Sequence, residues 1–92
     1  MTDGIDVDSN KIIMYGTNWC SDCYRARRIL DERDIEYVDI DIDKYAEARA
    51  LVMHINDSKA RVPMLVFPDG SLLVEPTNRD LSAKLDRVSQ LE

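Results

Sequence analysis

The chain has 92 residues, of which 45% are hydrophobic and 33% charged, with a formal net charge of −6 at pH 7. That length accommodates one domain with one modest core, in a composition too apolar for wholesale disorder and too interrupted by charge for a membrane span. The acidic balance argues against a nucleic-acid binder, which needs a concentrated basic face, and two cysteines are too few for a disulfide-stapled secreted scaffold.

Residues 1–10 are acidic and turn-rich and are expected as a flexible tail, leaving residues 11–92 as the domain. Met1-Thr2-Asp3-Gly4 has neither a basic region nor an apolar run, so no secretory signal is visible and a cytoplasmic protein is expected. Lys11-Ile12-Ile13-Met14-Tyr15 is a short apolar run suited to a strand buried on both faces. Gly16 to Trp19 breaks it. From Ser21 to about Arg33, Cys23, Ala26, Ile29 and Leu30 recur at helical spacing, with Arg25, Arg27, Arg28 and Arg33 crowding the same helix as a solvated face or a docking face for an acidic partner. Ile35 to Ile42 alternates, with Val38, Ile40 and Ile42 on one face and aspartates on the other, which predicts a half-buried strand at a sheet edge. Tyr45 to His54 is helical in pattern, with Ala46, Ala50 and Met53 on the expected inward side. Met64–Phe67 and Leu72–Val74 flank Pro68-Asp69-Gly70-Ser71 and read as a hairpin. Pro76-Thr77 opens a last helix, with Thr77 and Asp80 as a weak capping box and Leu81, Leu85 and Val88 inward. The order β-α-β-α-β-β-α predicts one α/β domain with a four-stranded mixed sheet, its first βαβ unit parallel and right-handed.

Trp19-Cys20-Ser21-Asp22-Cys23 lies where the first strand hands over to the first helix. Cys20 therefore sits at a helix N-terminus, where unpartnered N–H groups and the helix dipole favour a negative charge. The thiolate is the reactive form of cysteine. Cys23 falls one turn down the same face, close enough for a reversible disulfide after a small distortion of the first turn. A two-cysteine redox site is the leading reading, with Cys20 as nucleophile and Cys23 as resolving thiol. A zinc site would need four ligands, and His54 is the only further candidate outside a dimer. An iron–sulfur cluster shared across a dimer, and two inert buried thiols, complete the alternatives.

Arg61-Val62-Pro63 precedes the third strand, and a proline there suggests a cis peptide bond in a tight turn. Such a turn leaves the Val62 backbone groups free to pair with an extended thiol peptide. Trp19 is placed to shield the thiolate or to pack against a substrate. Asp39-Ile40-Asp41-Ile42-Asp43 copies the start of a calcium loop, but Lys44 replaces the required glycine and Ala50 the twelfth-position glutamate, so strand alternation explains it. Met14, Met53 and Met64 fall on apolar positions and are expected in the core.

With Trp19-Cys20-x-x-Cys23, the distant Val62-Pro63 and Phe67-Pro68-Asp69-Gly70-Ser71, the chain resembles the glutaredoxins from Lys11 to Leu91, and especially the short bacterial members that include the mycoredoxins. The resemblance implies a thioredoxin fold of the minimal glutaredoxin type, with strand order 2-1-3-4 and three flanking helices. It implies reduction of protein disulfides, or of mixed disulfides with a small thiol such as glutathione or mycothiol. No bound cofactor is implied, and electrons would come from the small thiol or from a thioredoxin reductase. Carried over by position, Val62 and Pro63 would hold the small thiol's backbone, and Thr77 and Asn78 its γ-glutamyl carboxylate at the last helix N-terminus. The chain departs from the glutathione-using members at Ser21-Asp22, at Thr17 in place of lysine and at Val74-Glu75 in place of a glycine pair. Arg61, with Lys59, is read as supplying the positive charge for a ligand carboxylate. The expected protein is a monomer that acts on disulfide-containing proteins, with neither nucleic acid nor membrane as partner. The alternative is a redox sensor or a metal or iron–sulfur carrier using Cys20 at a dimer interface.

Overall fold

The computed structural model describes residues 10–90, so the tail expected at residues 1–10 lies almost wholly outside the described residues. The elements run β1 (Ile12–Gly16), α1 (Ser21–Glu32), β2 (Tyr37–Asp41), α2 (Ala46–Ile55), β3 (Met64–Val66), β4 (Leu72–Val74) and α3 (Asn78–Gln90). They form one four-stranded sheet in the order β2-β1-β3-β4. The first two strands are parallel, with Ile12 opposite Tyr37 and Gly16 opposite Asp41. The other pairings are antiparallel, with Tyr15 opposite Met64 and Leu65 opposite Leu73. Topology and strand order are those expected.

The unbroken apolar run of β1 occupies an interior position, and all five of its residues are buried. The alternating strand takes an edge, as its charged face requires: Ile40 and Ile42 are buried, while Asp39 and Asp43 face water. Directly paired residues of antiparallel strands point to one face. Met14 and Gly16 face α1, where Cys23 lies. On the opposite face Met64 carries its sulfur to the end of α2, where Asn56 donates to it at 3.6 Å. Phe67, Leu81 and Leu85 tie the hairpin and α3 into the same core.

One expectation is corrected. The inward side of α2 is Ala48 and Val52, not Ala46, Ala50 and Met53; Ala46 and Ala50 are exposed and Met53 is half-buried. Seven of the ten positions of this helix are apolar and spread over several sides, so periodicity alone does not select a face, and the branched Val52 takes the buried one. The arginine face of α1 is not a free cationic surface. Arg25 bonds Asp22, Arg27 bonds Asp39, Arg28 bonds Glu32 and Arg33 bonds Asp86. Cys23, which the helical spacing places on the apolar stripe of this helix, is fully buried. Among the described residues no helix is long and apolar enough to cross a membrane.

The hairpin turn follows its residues closely. Gly70 takes φ +89°, in the left-handed region, and donates to Phe67 O at 2.8 Å. Asp69 accepts from both the N–H and the hydroxyl of Ser71, at 2.9 and 2.6 Å. Thr77 caps α3 by accepting the Asp80 N–H at 3.0 Å, which is one half of the predicted capping box.

Candidate active site

Gly16 ends β1, and four residues later Cys20 caps α1 in an extended conformation. Its Sγ accepts the backbone N–H of Cys23 at 3.3 Å, one of the donors that a helix N-terminus leaves without a partner. A sulfur bearing negative charge is therefore met by an N–H group and by the positive end of the helix dipole. Cys20 is partly exposed and Cys23 fully buried, and both are free thiols. One cysteine is thus reachable by a partner molecule, and the other is reachable only by its neighbour.

Burial and a hydrogen bond to Cys20 push the Cys23 thiol up to about 12. Cys23 is thereby held protonated behind Cys20. The Thr17 backbone N–H and the positive charge of Arg27 act on Cys23 in the opposite direction. Thr17 itself is buried, and its hydroxyl has no hydrogen-bond partner among the described residues.

The turn at Pro63 stands across from the thiol. The Val62–Pro63 bond is cis, as its position before β3 suggests. The Val62 carbonyl lies 3.9 Å from Cys20 Sγ, within reach of a thiol proton. Pro63 O accepts the N–H of Glu75 at 2.8 Å, and Glu75 takes φ +48° in the left-handed region. This is the segment where the resembling proteins carry a glycine pair. The Glu75 carboxylate accepts from Arg61 Nη1 at 3.1 Å. The cation read as a ligand anchor therefore already has an acidic neighbour, and Lys59, two residues earlier in the chain, is exposed. Thr77 and Asn78 follow Glu75 at the start of α3, where the Thr77 hydroxyl is engaged as the cap.

Trp19 is 75% exposed, so its indole does not cover the core. Its Nε1–H donates to Asp43 at 2.8 Å, and Arg49 donates to the same carboxylate at 3.3 Å. Asn18 reaches Asp41 at 3.4 Å, and Asp41 in turn accepts the Asp43 N–H at 2.9 Å. The loop after β2 thereby fixes the loop before Cys20. Arg49 was not singled out from the sequence, and Asp41 and Asp43 were compared there with a calcium loop and then read as the wet side of a strand. Asp22 pairs with Arg25 one turn on, both side chains about half exposed.

The glutaredoxin family model matches residues 12–73, two-thirds of the chain. The Mycobacterium tuberculosis protein named "Putative glutaredoxin Rv3198A" is 32% identical over 78 residues, covering 85% of this chain and 93% of that protein. Mycoredoxin 1 of Corynebacterium glutamicum is 28% identical over 80 residues, covering 87% and 99%. Among solved structures, a mutant of the thioredoxin-like protein BC3987 superposes with a TM-score of 0.70 at 27% identity, covering 82% of this chain and 99% of that one. The solution structure of glutaredoxin from Brucella melitensis gives 0.59 at 26% identity, covering 84% and 79%. A βαβ unit with a Cys-x-x-Cys pair at its helix start, a cis-proline turn facing the first thiol and a match across 12–73 lead to one conclusion: the chain belongs to the glutaredoxin family.

Proposed function

We propose that this protein is a thiol-disulfide oxidoreductase that reduces protein disulfides or mixed disulfides of a low-molecular-weight thiol. The observation that carries the reading is the division of labour between the two sulfurs. Cys20 is partly exposed at a helix N-terminus and accepts the Cys23 N–H, while Cys23 is buried and held protonated behind it. Cys20 attacks a substrate disulfide and takes one half of it into a mixed disulfide, and the other half leaves as a thiol. With a protein substrate Cys23 then displaces that protein, and the Cys20–Cys23 disulfide is reduced by an external thiol. With a small-thiol substrate a second small thiol can release Cys20 directly.

Val62 and Pro63 are assigned to the backbone of the incoming thiol, which the position of the Val62 carbonyl beside Cys20 supports. Trp19, standing out of the surface on its Asp43 tether, is assigned to the substrate's flank. Arg61, Thr77 and Asn78 are assigned to a ligand carboxylate, with Glu75 competing for the arginine. The relation to mycoredoxin 1 supports mycothiol rather than glutathione as the electron source, and Thr17 and Glu75 at the departing positions support the same choice.

The test is turnover of a mycothiol mixed disulfide and of a protein disulfide, each with mycothiol, glutathione or thioredoxin reductase as reductant. Cys20→Ser abolishes both reactions, and Cys23→Ser retains the mixed-disulfide reaction alone. Activity surviving in Cys20→Ser would overturn the reading. Reduction by glutathione as fast as by mycothiol would reassign the reductant.

A further inference from the structure

The resolving step demands a thiolate at Cys23, the group that the resting site holds most firmly as a thiol. The groups acting on that thiol are Cys20, the Thr17 N–H and Arg27, with no carboxylate among them to serve as a base. Arg27 lies one turn along α1 from Cys23, and its guanidinium folds back towards the sulfur. Its Nη2 donates to the Thr17 carbonyl at 3.0 Å, and its Nε to Asp39 at 2.7 Å. A methyl group on Gly16 would lie 3.0 Å from Cys23 Sγ and 3.3 Å from Arg27 Nη2. Both atoms therefore crowd the same glycine. The arginine side chain is only 19% exposed, so water screens it weakly.

We propose that Arg27 is a positioning residue for the resolving step: anchored on the Thr17 carbonyl and Asp39, it holds a positive charge beside Cys23 that stabilises the thiolate as it attacks the mixed disulfide on Cys20. The inference rests on the thiol-disulfide reading above. Once Cys20 is bonded to a substrate sulfur, it no longer accepts the Cys23 proton or carries charge of its own. Two of the influences that hold Cys23 protonated are then gone, and Arg27 and the Thr17 N–H act against burial alone. Cys23 loses its proton to water and its thiolate attacks Cys20 Sγ. The bond from Cys20 to the substrate sulfur breaks, and the electron pair leaves with that sulfur, which takes a proton from water. In this step Cys23 is oxidised and the substrate sulfur reduced; over the capture and resolving steps together, two cysteines are oxidised and both halves of the substrate disulfide leave as thiols. Around the reacting thiol the charged and titratable groups are Cys20 and Arg27 of α1 and, behind the arginine, Asp39 and Tyr37 of β2.

The reduced protein treated with dithiobis(nitrobenzoate) reports both steps by absorbance. The first thionitrobenzoate is released when Cys20 is captured, and the second when Cys23 resolves the adduct. Arg27→Met is expected to leave the first phase unchanged. It slows the second about tenfold at neutral pH and raises the pH midpoint of that phase by about one unit, the equivalent of tenfold in ionisation. Arg27→Lys, which keeps the charge, restores most of the rate. An unchanged second phase in Arg27→Met overturns the proposal, as does an equal slowing in the methionine and lysine variants, which would make the role structural. If Arg27→Met does not fold, Asp39→Asn decides: removing the counter-charge lowers the midpoint, and an unmoved midpoint overturns the proposal. Wild-type protein without a first phase, or Cys23→Ser that still shows a second, overturns the thiol-disulfide reading itself and this inference with it.

Discussion

Gly16 and Thr17 join β1 to the active-site turn, and both are constrained by what lies behind them. A side chain on Gly16 would meet Cys23 Sγ at 3.0 Å and Met14 Cε at 3.1 Å, against a fully buried sulfur that has little room to yield. Gly16→Ala is therefore expected to destabilise the fold by about 1–3 kcal/mol, as overpacking of a filled core does, read as a lower urea midpoint. Thr17 poses the opposite case. Its backbone serves Cys23 and Arg27, while its buried hydroxyl has no partner among the described residues. Thr17→Val keeps the shape and removes the orphaned group, and is expected to raise stability by ~1 kcal/mol with the thiol chemistry unchanged. A lower urea midpoint in that variant would mean that the hydroxyl is satisfied in solution. Both positions belong to a motif legible in the sequence, yet neither constraint is local. The sulfur and the arginine that press on Gly16 come from α1.

At the scale of elements, the hairpin and α3 hold each other. Asp69 accepts twice from Ser71 and also meets Lys84 of α3 at 3.4 Å, while the Lys84 ammonium sits 5.0 Å over the Phe67 ring. These bonds, those to Ser71 first, hold the Asp69 carboxyl down at about 2 against an ordinary 3.8. A carboxyl lowered in the folded state adds stability at pH values above its unfolded value, and that contribution fades as pH falls from 3.8 towards 2. Asp69→Asn is expected to flatten this part of the acid-unfolding curve by lowering stability above pH 3.8, where the wild-type carboxylate is ionised, while matching wild type near pH 2, measured by urea midpoints across the range. A steep curve identical to wild type would place the acid sensitivity in other carboxylates. The turn was readable from Asp69-Gly70, because its hydrogen bonds run between residues at most four apart in the chain. The inward face of α2 was not, because Ala46, Ala48, Ala50, Leu51, Val52 and Met53 offer apolar groups on several sides at once. Only the sheet beneath the helix selects Ala48 and Val52.

Across the whole molecule, burial sets a limit on the alkaline side. Cys23 is raised to about 12 from an ordinary 9.0, and burial also raises Tyr15 and Tyr37. A group held protonated in the folded state adds stability that is fully present below its unfolded value and is lost as pH climbs to the folded one. Stability of the reduced protein is therefore expected to fall as pH rises from about 9 towards about 12. Cys23→Ala is expected to remove part of that slope, leaving the share of the two tyrosines, in urea midpoints taken at successive pH values. The eight ion pairs among the described residues are a weaker influence. Most are exposed, where each contributes ~0–1 kcal/mol, so added salt is expected to move stability little.

Order and type of elements, the parallel βαβ unit, the Cys-x-x-Cys pair at a helix start and the proline turn were determined by the sequence itself. Each rests on spacing within a few residues: the uninterrupted run of β1, the alternation through Val38, Ile40 and Ile42, and three-residue separation of Cys20 and Cys23. The tertiary structure alone decided which side chains meet across the chain. Parallel pairing of β1 with β2 sets Gly16 opposite Asp41. That register brings Asp43 to Trp19, 24 residues away, and Asp39 to Arg27, 12 residues away. The packing of α3 brings Asp86 to Arg33, whereas Arg25–Asp22 and Arg28–Glu32 pair within the helix itself. Burial of Cys23, and with it the difference between a sulfur that captures and one that resolves, follows from the same closure of the helix over the sheet. A linear pattern records the spacing of groups along the chain, whereas charge pairing and proton affinity depend on distances through space.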